Sequence, residues 1–170
     1  MAYAIVRTDR LMGTGVRSYV RSVKYMGDGS AATAIENGNI VKLDGLMAKG
    51  TNEVEREIYK AVTPAAGDTL ETIALIASPE IMYDERKKDL AEFRNEAGDV
   101  ARAYKLHSGD IFSVTAEALD GTAAVGDIVE LQASTKLKVV SSNTAGSTVI
   151  GKIIEKAKGG MYEFYAIEVA

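Results

Sequence analysis

Short runs in which apolar and polar residues alternate dominate the chain, and this period of two predicts β-strands. Three runs begin alike, with glycine, then Asp or Asn, then Ile: GNIVKL at 38–43, GDIFSV at 109–114 and GDIVEL at 126–131. Glycine before Asx supplies the freedom of a tight turn, and the Asx side chain can bind the backbone amides that follow. Phosphate-binding loops lead into helices instead. We therefore interpret all three copies as structural turns that start strands.

From residue 100 onward the pattern predicts strands almost without interruption, joined by short turn-rich connectors. The predicted strands are residues 100–106, 111–119, 127–133, 136–141, 148–156 and 161–169. Such spacing is typical of a barrel or sandwich. Earlier in the chain, strand patterns occur at 16–25, 39–43 and 56–63, and the apolar run at 70–77 fits either a strand or a short helix.

One segment has the pattern of a helix, YDERKKDLAEFR at residues 83–94. Asp84 can cap it, Leu90 and Phe93 give an apolar edge, and the charged residues form a solvated face. The predicted fold is therefore mainly β with one short helix near residues 84–94 (α+β), as a β-barrel or tulip-like β-sandwich with an extended N-terminal arm. Residues 1–27 are the predicted arm, 28–98 a β-rich region and 99–170 a barrel or sandwich unit, forming one compact domain plus the arm.

Charge is distributed unevenly along the chain. The net charge is −4, yet residues 1–27 hold five basic side chains against Asp9 alone, so this segment has +4 and the remainder −8. A basic segment on an acidic body indicates docking to an acidic surface or to nucleic acid, although solvated charges on a strand have the same appearance. The candidate contact residues are Arg7, Arg10, Arg17, Arg21 and Lys24.

Catalytic chemistry has little support in the sequence. The chain has no cysteine and one histidine, His107, which lies beside Ser108 and Asp110 in a predicted turn. Neighbours in sequence do not converge as a catalytic triad does. Glu53, Glu55 and Glu57 alternate and can bind a hard cation, but a charged edge strand explains them equally well. We expect a non-enzymatic protein without cofactor or metal.

Targeting signals are not evident either. No apolar run approaches the roughly 20 residues of a membrane-spanning helix, and the N-terminus reaches Arg7 after only a few apolar residues, unlike a signal peptide. We therefore expect a protein made in the cytoplasm without membrane contact.

Three segments resemble capsid decoration proteins (head auxiliary or stabilising proteins) of tailed bacteriophages. They are ENGNIVKLDGL at 36–46, AVGDIVEL at 124–131 and TVIGKIIEKAKGGMYEFYAIEV at 148–169, which follow the G-D-x-V-x-L pattern and the final strand pair of such proteins. Residues 88–115 also resemble phage structural sequence. The basic arm and the inserted helix depart from many small members of this class.

The resemblance implies a virion protein on the capsid exterior, assembled in the host cytoplasm. Its partner would be the major capsid protein, and it would often be a homotrimer. The alternatives are another head or head–tail component, or a small nucleic-acid-binding β-barrel that uses Tyr3, Tyr19 and Tyr25 among the basic residues. The acidic body opposes phosphate contact, so we expect no nucleic-acid partner.

Overall fold

The computed structural model describes residues 2–8, 19–28, 31–47, 57–84, 86 and 89–170. Within these ranges the chain forms two sheets, a closed five-stranded barrel followed by a curled six-stranded half-barrel. The prediction of a mainly β fold with a barrel is confirmed. The strands are β1 (Val20–Tyr25), β2 (Ile40–Leu46), β3 (Ile58–Val62), β4 (Ile73–Ile76), β5 (Ala101–Tyr104), β6 (Ile111–Val114), β7 (Leu119–Asp120), β8 (Ile128–Gln132), β9 (Ser134–Val140), β10 (Val149–Gly159) and β11 (Tyr162–Val169).

The barrel closes in the order β1-β3-β2-β4-β5, with β5 returning to β1. The β1–β3 pair is parallel and the other four pairs are antiparallel. Five strands enclose little space, so small side chains must fill the interior. Four of the eight buried interior residues are alanines; the set is Val23, Ile35, Val41, Ala61, Ala74, Ile76, Ala101 and Ala103. The barrel is thus a packed core without a channel.

The half-barrel has the order β6-β11-β10-β8-β9-β7. Its pairs are antiparallel except β7–β9, which is parallel. The predicted boundary between residues 98 and 99 falls just before β5, which belongs to the barrel because it pairs with β1 and β4. By strand pairing, the barrel therefore extends to Tyr104.

Strand β4 joins the two sheets into one body. Ala74 and Ile76 point into the barrel, whereas Ile73 and Leu75 belong to the cluster shared with the half-barrel. All four residues are completely buried. A strand buried on both faces needs an uninterrupted apolar sequence, which explains why periodicity could not separate strand from helix here. A 3-10 turn at Leu70–Thr72 precedes the strand.

The described parts of the predicted arm do not project from the body. Residues 4–6 are buried, and Val6 bridges to Val114 at the edge of β6. Thr115 donates its N–H to the Ile5 carbonyl, and Ile5 donates its own N–H to Thr115 Oγ1. Residues 20–25 form β1 of the barrel. The arm prediction therefore needs correction: apolar residues between the basic ones tie both described parts into sheets.

The predicted helix near residues 84–94 is also corrected. Its described part holds only a 3-10 turn at Leu90–Glu92, with extended backbone at Asp89 and Phe93 on either side. Asp89 supplies a capping box with Glu92. Phe93 is buried whereas Leu90 is exposed, so the two do not form one apolar edge. The described ranges contain no helix with the length and apolar character to cross a membrane.

The turn interpretation of the Gly-Asp pairs is confirmed, with one change. Before β6 and β8, each Asp carboxylate accepts the N–H of the residue three positions earlier at 2.8 to 2.9 Å, and the Asp N–H donates to that residue's carbonyl. The carboxylate thus binds a preceding amide rather than a following one. Gly109 and Gly126 have φ of +87° and +100°, which favours glycine. Gly67-Asp68 and Gly98-Asp99 make the same two bonds.

The third copy, Gly38-Asn39, has different contacts. Gly38 also has positive φ and leads into β2, but its N–H donates to the Ile76 carbonyl. A Cβ at Gly38 would lie 3.2 Å from the side chains of Val114 and Ala118. Asn39 Oδ1 is buried and has no hydrogen-bond partner in the described structure. This copy is therefore a close contact between barrel and half-barrel.

The closeness of β10 and β11 gives a stability prediction. A Cβ added at Gly151 would lie 2.9 Å from the Glu168 carbonyl carbon and 3.1 Å from Ile167 Cγ2. We expect Gly151→Ala to lower the free energy of unfolding by roughly 1–3 kcal/mol, measured by urea denaturation, because overpacking displaces backbone. Gly67→Ala is the control, since its Cβ would meet only the Gly146 carbonyl oxygen at 3.7 Å. Equal stability of the two variants would contradict the prediction.

Candidate interaction surface

The structure does not gather the described basic residues of the predicted arm into one patch. Arg10 and Arg17 lie outside the described residues. Arg21 and Lys24 are three positions apart on β1, so their side chains leave opposite faces of the strand. Arg21 lies on the barrel-interior side, with its guanidinium carbon 5.5 Å from the centre of the Tyr59 ring. Lys24 stands opposite Lys60 of β3.

Arg7 belongs to a third location, next to the half-barrel. Its N–H donates to the Ser113 carbonyl, and its guanidinium carbon lies 5.5 Å from the centre of the Phe164 ring on β11. Such cation–π contacts contribute about 0.5–1 kcal/mol at exposed sites. Arg7 and Arg21 therefore act in part as packing residues for aromatic rings of the same chain.

The residues considered for catalysis also have structural contacts. The Asp110 carboxylate accepts the His107 backbone N–H at 2.8 Å, and its ion-pair distance to His107 Nδ1 is 3.6 Å. The His107 ring packs edge-on against Tyr19 at 4.3 Å between centres. Glu53 and Glu55 lie outside the described residues, and Glu57 is exposed. No group of three or more possible metal-ligating side chains occurs in the described ranges.

The most unusual surface feature is a strip of exposed apolar side chains along the segment between β4 and β5. We call it the apolar strip. Its members come from residues 81–100 and from the β10–β11 turn, and each leaves a large fraction of its surface in solvent: Ile81 62%, Tyr83 93%, Leu90 42%, Val100 50% and Met161 84%. Single exposed apolar residues are ordinary, whereas groups of them that line shared depressions are candidates for an interaction site.

Four depressions follow the strip and share lining residues. The first, of about 400 Å³, lies over β1 and β5 with Ile81, Tyr83 and Val100 among its lining residues. The second shares Ile81 and Tyr83 with it and occupies about 250 Å³. A third of about 490 Å³ and a fourth of about 340 Å³ share Leu90 and Tyr162. Glu92 lines both the second and the third depression and connects the two pairs. The strip therefore consists of two groups of shallow grooves that meet at a charged residue, suited to a protein surface more than to a small molecule.

A polar clamp holds both ends of this segment on the barrel. Asn37 donates its side-chain N–H to the Ser78 carbonyl at 2.9 Å and accepts the Ser78 N–H at 3.0 Å. Asn37 Oδ1 also accepts from Asn95 Nδ2, which donates to the Ile35 carbonyl as well. All three clamp residues, Asn37, Ser78 and Asn95, are buried. Buried and satisfied amides fix geometry strongly, so the segment is presented on a rigid base.

Further bonds occur among described residues between the two clamped ends. Asp84 accepts from the Arg86 backbone N–H and makes a two-bond ion pair with its guanidinium. Arg94 pairs with Glu96 at 2.9 Å and lies over the Tyr3 ring. The sequence does not reveal the strip, because the pattern at residues 83–94 predicts a helix with a solvated face. The available signal was the sequence PEIMY at 79–83, which places Ile, Met and Tyr together without strand or helix periodicity.

Glu130 of β8 is the one fully buried acidic side chain in the described ranges. It accepts the Thr144 N–H at 2.9 Å and a bond from Lys138 Nζ at 3.2 Å. Burial by itself raises the pKa of this carboxyl, but the hydrogen bonds from Thr144 and Lys138 outweigh it and hold the pKa below its ordinary value. Both oxygens are thus engaged in tying the β9–β10 loop to β8, which is a structural role.

Comparisons with known proteins identify no relative. No family model, curated protein or solved structure matches the chain.

Glu130 gives a prediction for the pH dependence of stability. Its lowered pKa means that its contribution to stability is complete above the ordinary carboxyl pKa and is lost as pH falls from that value through the lower pKa of the folded protein. We expect Glu130→Gln to lose roughly 1–3 kcal/mol at pH 7 and to show a weaker decline of stability between about pH 5 and pH 3. Denaturant unfolding across this range measures both, with the exposed Glu117→Gln as control. An unchanged acid slope would exclude this role of Glu130.

Proposed function

We propose that the protein is a non-enzymatic structural component of a tailed-bacteriophage virion, a decoration protein that binds the outer capsid lattice and stabilises the head. The observation that carries the proposal is the apolar strip, because it offers an exposed and ordered protein-binding surface. The resemblance of residues 36–46, 124–131 and 148–169 to decoration proteins supplies the class of partner.

The chemistry of the strip suits a protein partner. Tyr and Met are enriched at protein interfaces relative to other surfaces, and Tyr83 and Met161 are its two most exposed members. Burying a large apolar side chain contributes about 1.5–3 kcal/mol. Docking of the strip would therefore supply the central apolar contact of an interface, with the charged groups of Arg86 and Glu92 at its rim.

Rigidity of the base favours binding to a repeating lattice. The clamp of Asn37, Ser78 and Asn95 holds the segment before any partner arrives, so less ordering entropy is lost on binding. A capsid presents many equivalent sites, and modest single contacts gain strength where several copies are joined. The partner in this proposal is the major capsid protein, with a homotrimer as the decorating unit on the virion exterior.

The basic residues of the predicted arm remain a second hypothesis for the same contact. Removing residues 1–25 would delete β1 and open the barrel, so truncation cannot test them. Single replacements of Arg7 and Arg21 by glutamine preserve the strands. Their effect on capsid binding, compared at two salt concentrations, separates a charge contact from an apolar one.

Replacement of two exposed residues that line both the first and the second depression tests the proposal. We expect the double variant Ile81→Ser, Tyr83→Ser to co-sediment with undecorated capsids at least about tenfold more weakly, since it removes two large apolar side chains from the interface. Its unfolding free energy should change by less than about 0.5 kcal/mol per site, because both side chains are exposed.

Val125→Ser is the matched control. Val125 is 58% exposed but lines none of the four depressions. It should bind capsids as the unmodified protein does. Undiminished binding of the double variant would refute the role of the strip, and absence of capsid binding by the unmodified protein would refute the proposed function.

A further inference from the structure

The β10–β11 hairpin extends beyond the sheet that carries it. β8 pairs with β10 only from Val149 to Lys152, and the turn before β8 adds two bonds at Ile153. β11 accompanies β10 to Gly159 on the other side. From residue 154 to 159, no strand in the described ranges pairs with the outer edge of β10. Alternate N–H and C=O groups of an antiparallel strand point to that edge, so it is a template for an added strand.

The side chains along this edge favour an acidic neighbour. Lys156 and Lys158 lie on the same face of the hairpin, opposite Tyr165 and Glu163 of β11. Lys156 Nζ lies 3.0 Å from Glu163 Oε2, and both side chains are about half exposed. Lys158 makes no ion pair within the described residues. Of the two ammonium groups only that of Lys156 has a carboxylate partner in the described residues, and a strand added beside β10 would place its own side chains next to both lysines.

A second copy of this chain fits the same edge poorly. Suppose that a second copy pairs antiparallel with this edge about a two-fold axis perpendicular to the sheet. The two side chains of each facing pair then lie on the same face, so their residue numbers differ by an even number. Centred on Lys156 or Lys158, such a pair sets that lysine against itself. Centred on Ala157 it sets Lys156 against Lys158, and centred on Glu155 it sets the two glutamates together. Facing like charges are destabilising, so the four registers centred on residues 155–158 are disfavoured for a second copy.

We propose that the outer edge of β10 at residues 154–159 is a strand-addition site for an extended segment of another protein that carries acidic side chains at alternate positions. Main-chain hydrogen bonds provide the affinity, and carboxylates facing Lys156 and Lys158 select the register. The inference goes beyond the proposed function, because it specifies the chemistry of a partner strand whether or not that strand belongs to a capsid.

The test uses the full chain and a blocked ten-residue peptide of alternating threonine and glutamate, titrated against amide NMR signals. We expect saturable shifts and slowed amide exchange at residues 154–159. The variant Lys156→Glu, Lys158→Glu should weaken binding by roughly five- to tenfold or more. Lys152→Glu is the matched control, because Lys152 is exposed on the part of β10 that β8 already pairs, and it should bind as the unmodified chain does.

Two modified peptides distinguish strand addition from simple charge attraction. One carries N-methyl groups on every glutamate and the other on every threonine. Since alternate residues direct their N–H groups to opposite edges, strand addition requires that one peptide loses binding and the other retains it. Equal behaviour of the two peptides, binding unaffected by the Lys156→Glu, Lys158→Glu variant, or absence of binding by the unmodified peptide would each overturn the proposal. Capsid co-sedimentation of the same variant reports separately on the proposed function.

Discussion

The complete burial of β4 is the constraint on which the rest of the structure depends. Ile73 and Leu75 face the half-barrel while Ala74 and Ile76 face the barrel interior, so neither sheet has a closed core without this strand. The two interfaces demand different sizes, because a five-stranded barrel admits mainly small side chains whereas the space between two sheets accepts large ones. The alternation of Ile, Ala, Leu and Ile meets both demands in four residues.

The packing of the two sheets also determines which apolar side chains stay exposed and can bind a partner. The faces of β2, β4 and β5 that point away from the barrel interior contribute Ile40, Leu75 and Tyr104 to the shared cluster, and the first residues of the chain cover the edge of β6. Exposed apolar groups then concentrate on the connection between β4 and β5, described parts of which lie beside β1 and β5, and on the hairpin tip. Both are irregular or protruding elements on a rigid scaffold, the usual location of binding residues.

Local chemistry made much of the fold predictable. Period-two alternation found the strands after residue 100, and each Gly-Asp pair marked a turn because its bonds close within four residues. Long-range contacts were not predictable in this way. Residues 83–94 have a good helical pattern, but in the described part the backbone is extended at Asp89 and Phe93, where Phe93 is buried and Asn95 contacts Asn37. The apolar strip was missed for the same reason, since its members become neighbours only when the segment crosses the barrel and Met161 approaches from the far end of the chain.

The pairing of the first residues with β6 has a consequence for how the protein is made. Ile5 bonds with Thr115, a separation of 110 residues, and β11, the last strand in sequence, fills the other side of β6. The ribosome therefore releases the N-terminal segment long before its docking site exists, and that segment must wait while the barrel forms. Large sequence separation between contacting residues slows folding. The half-barrel is thus completed only after β11 has been synthesised, and residues 4–6 reach their buried positions late in folding.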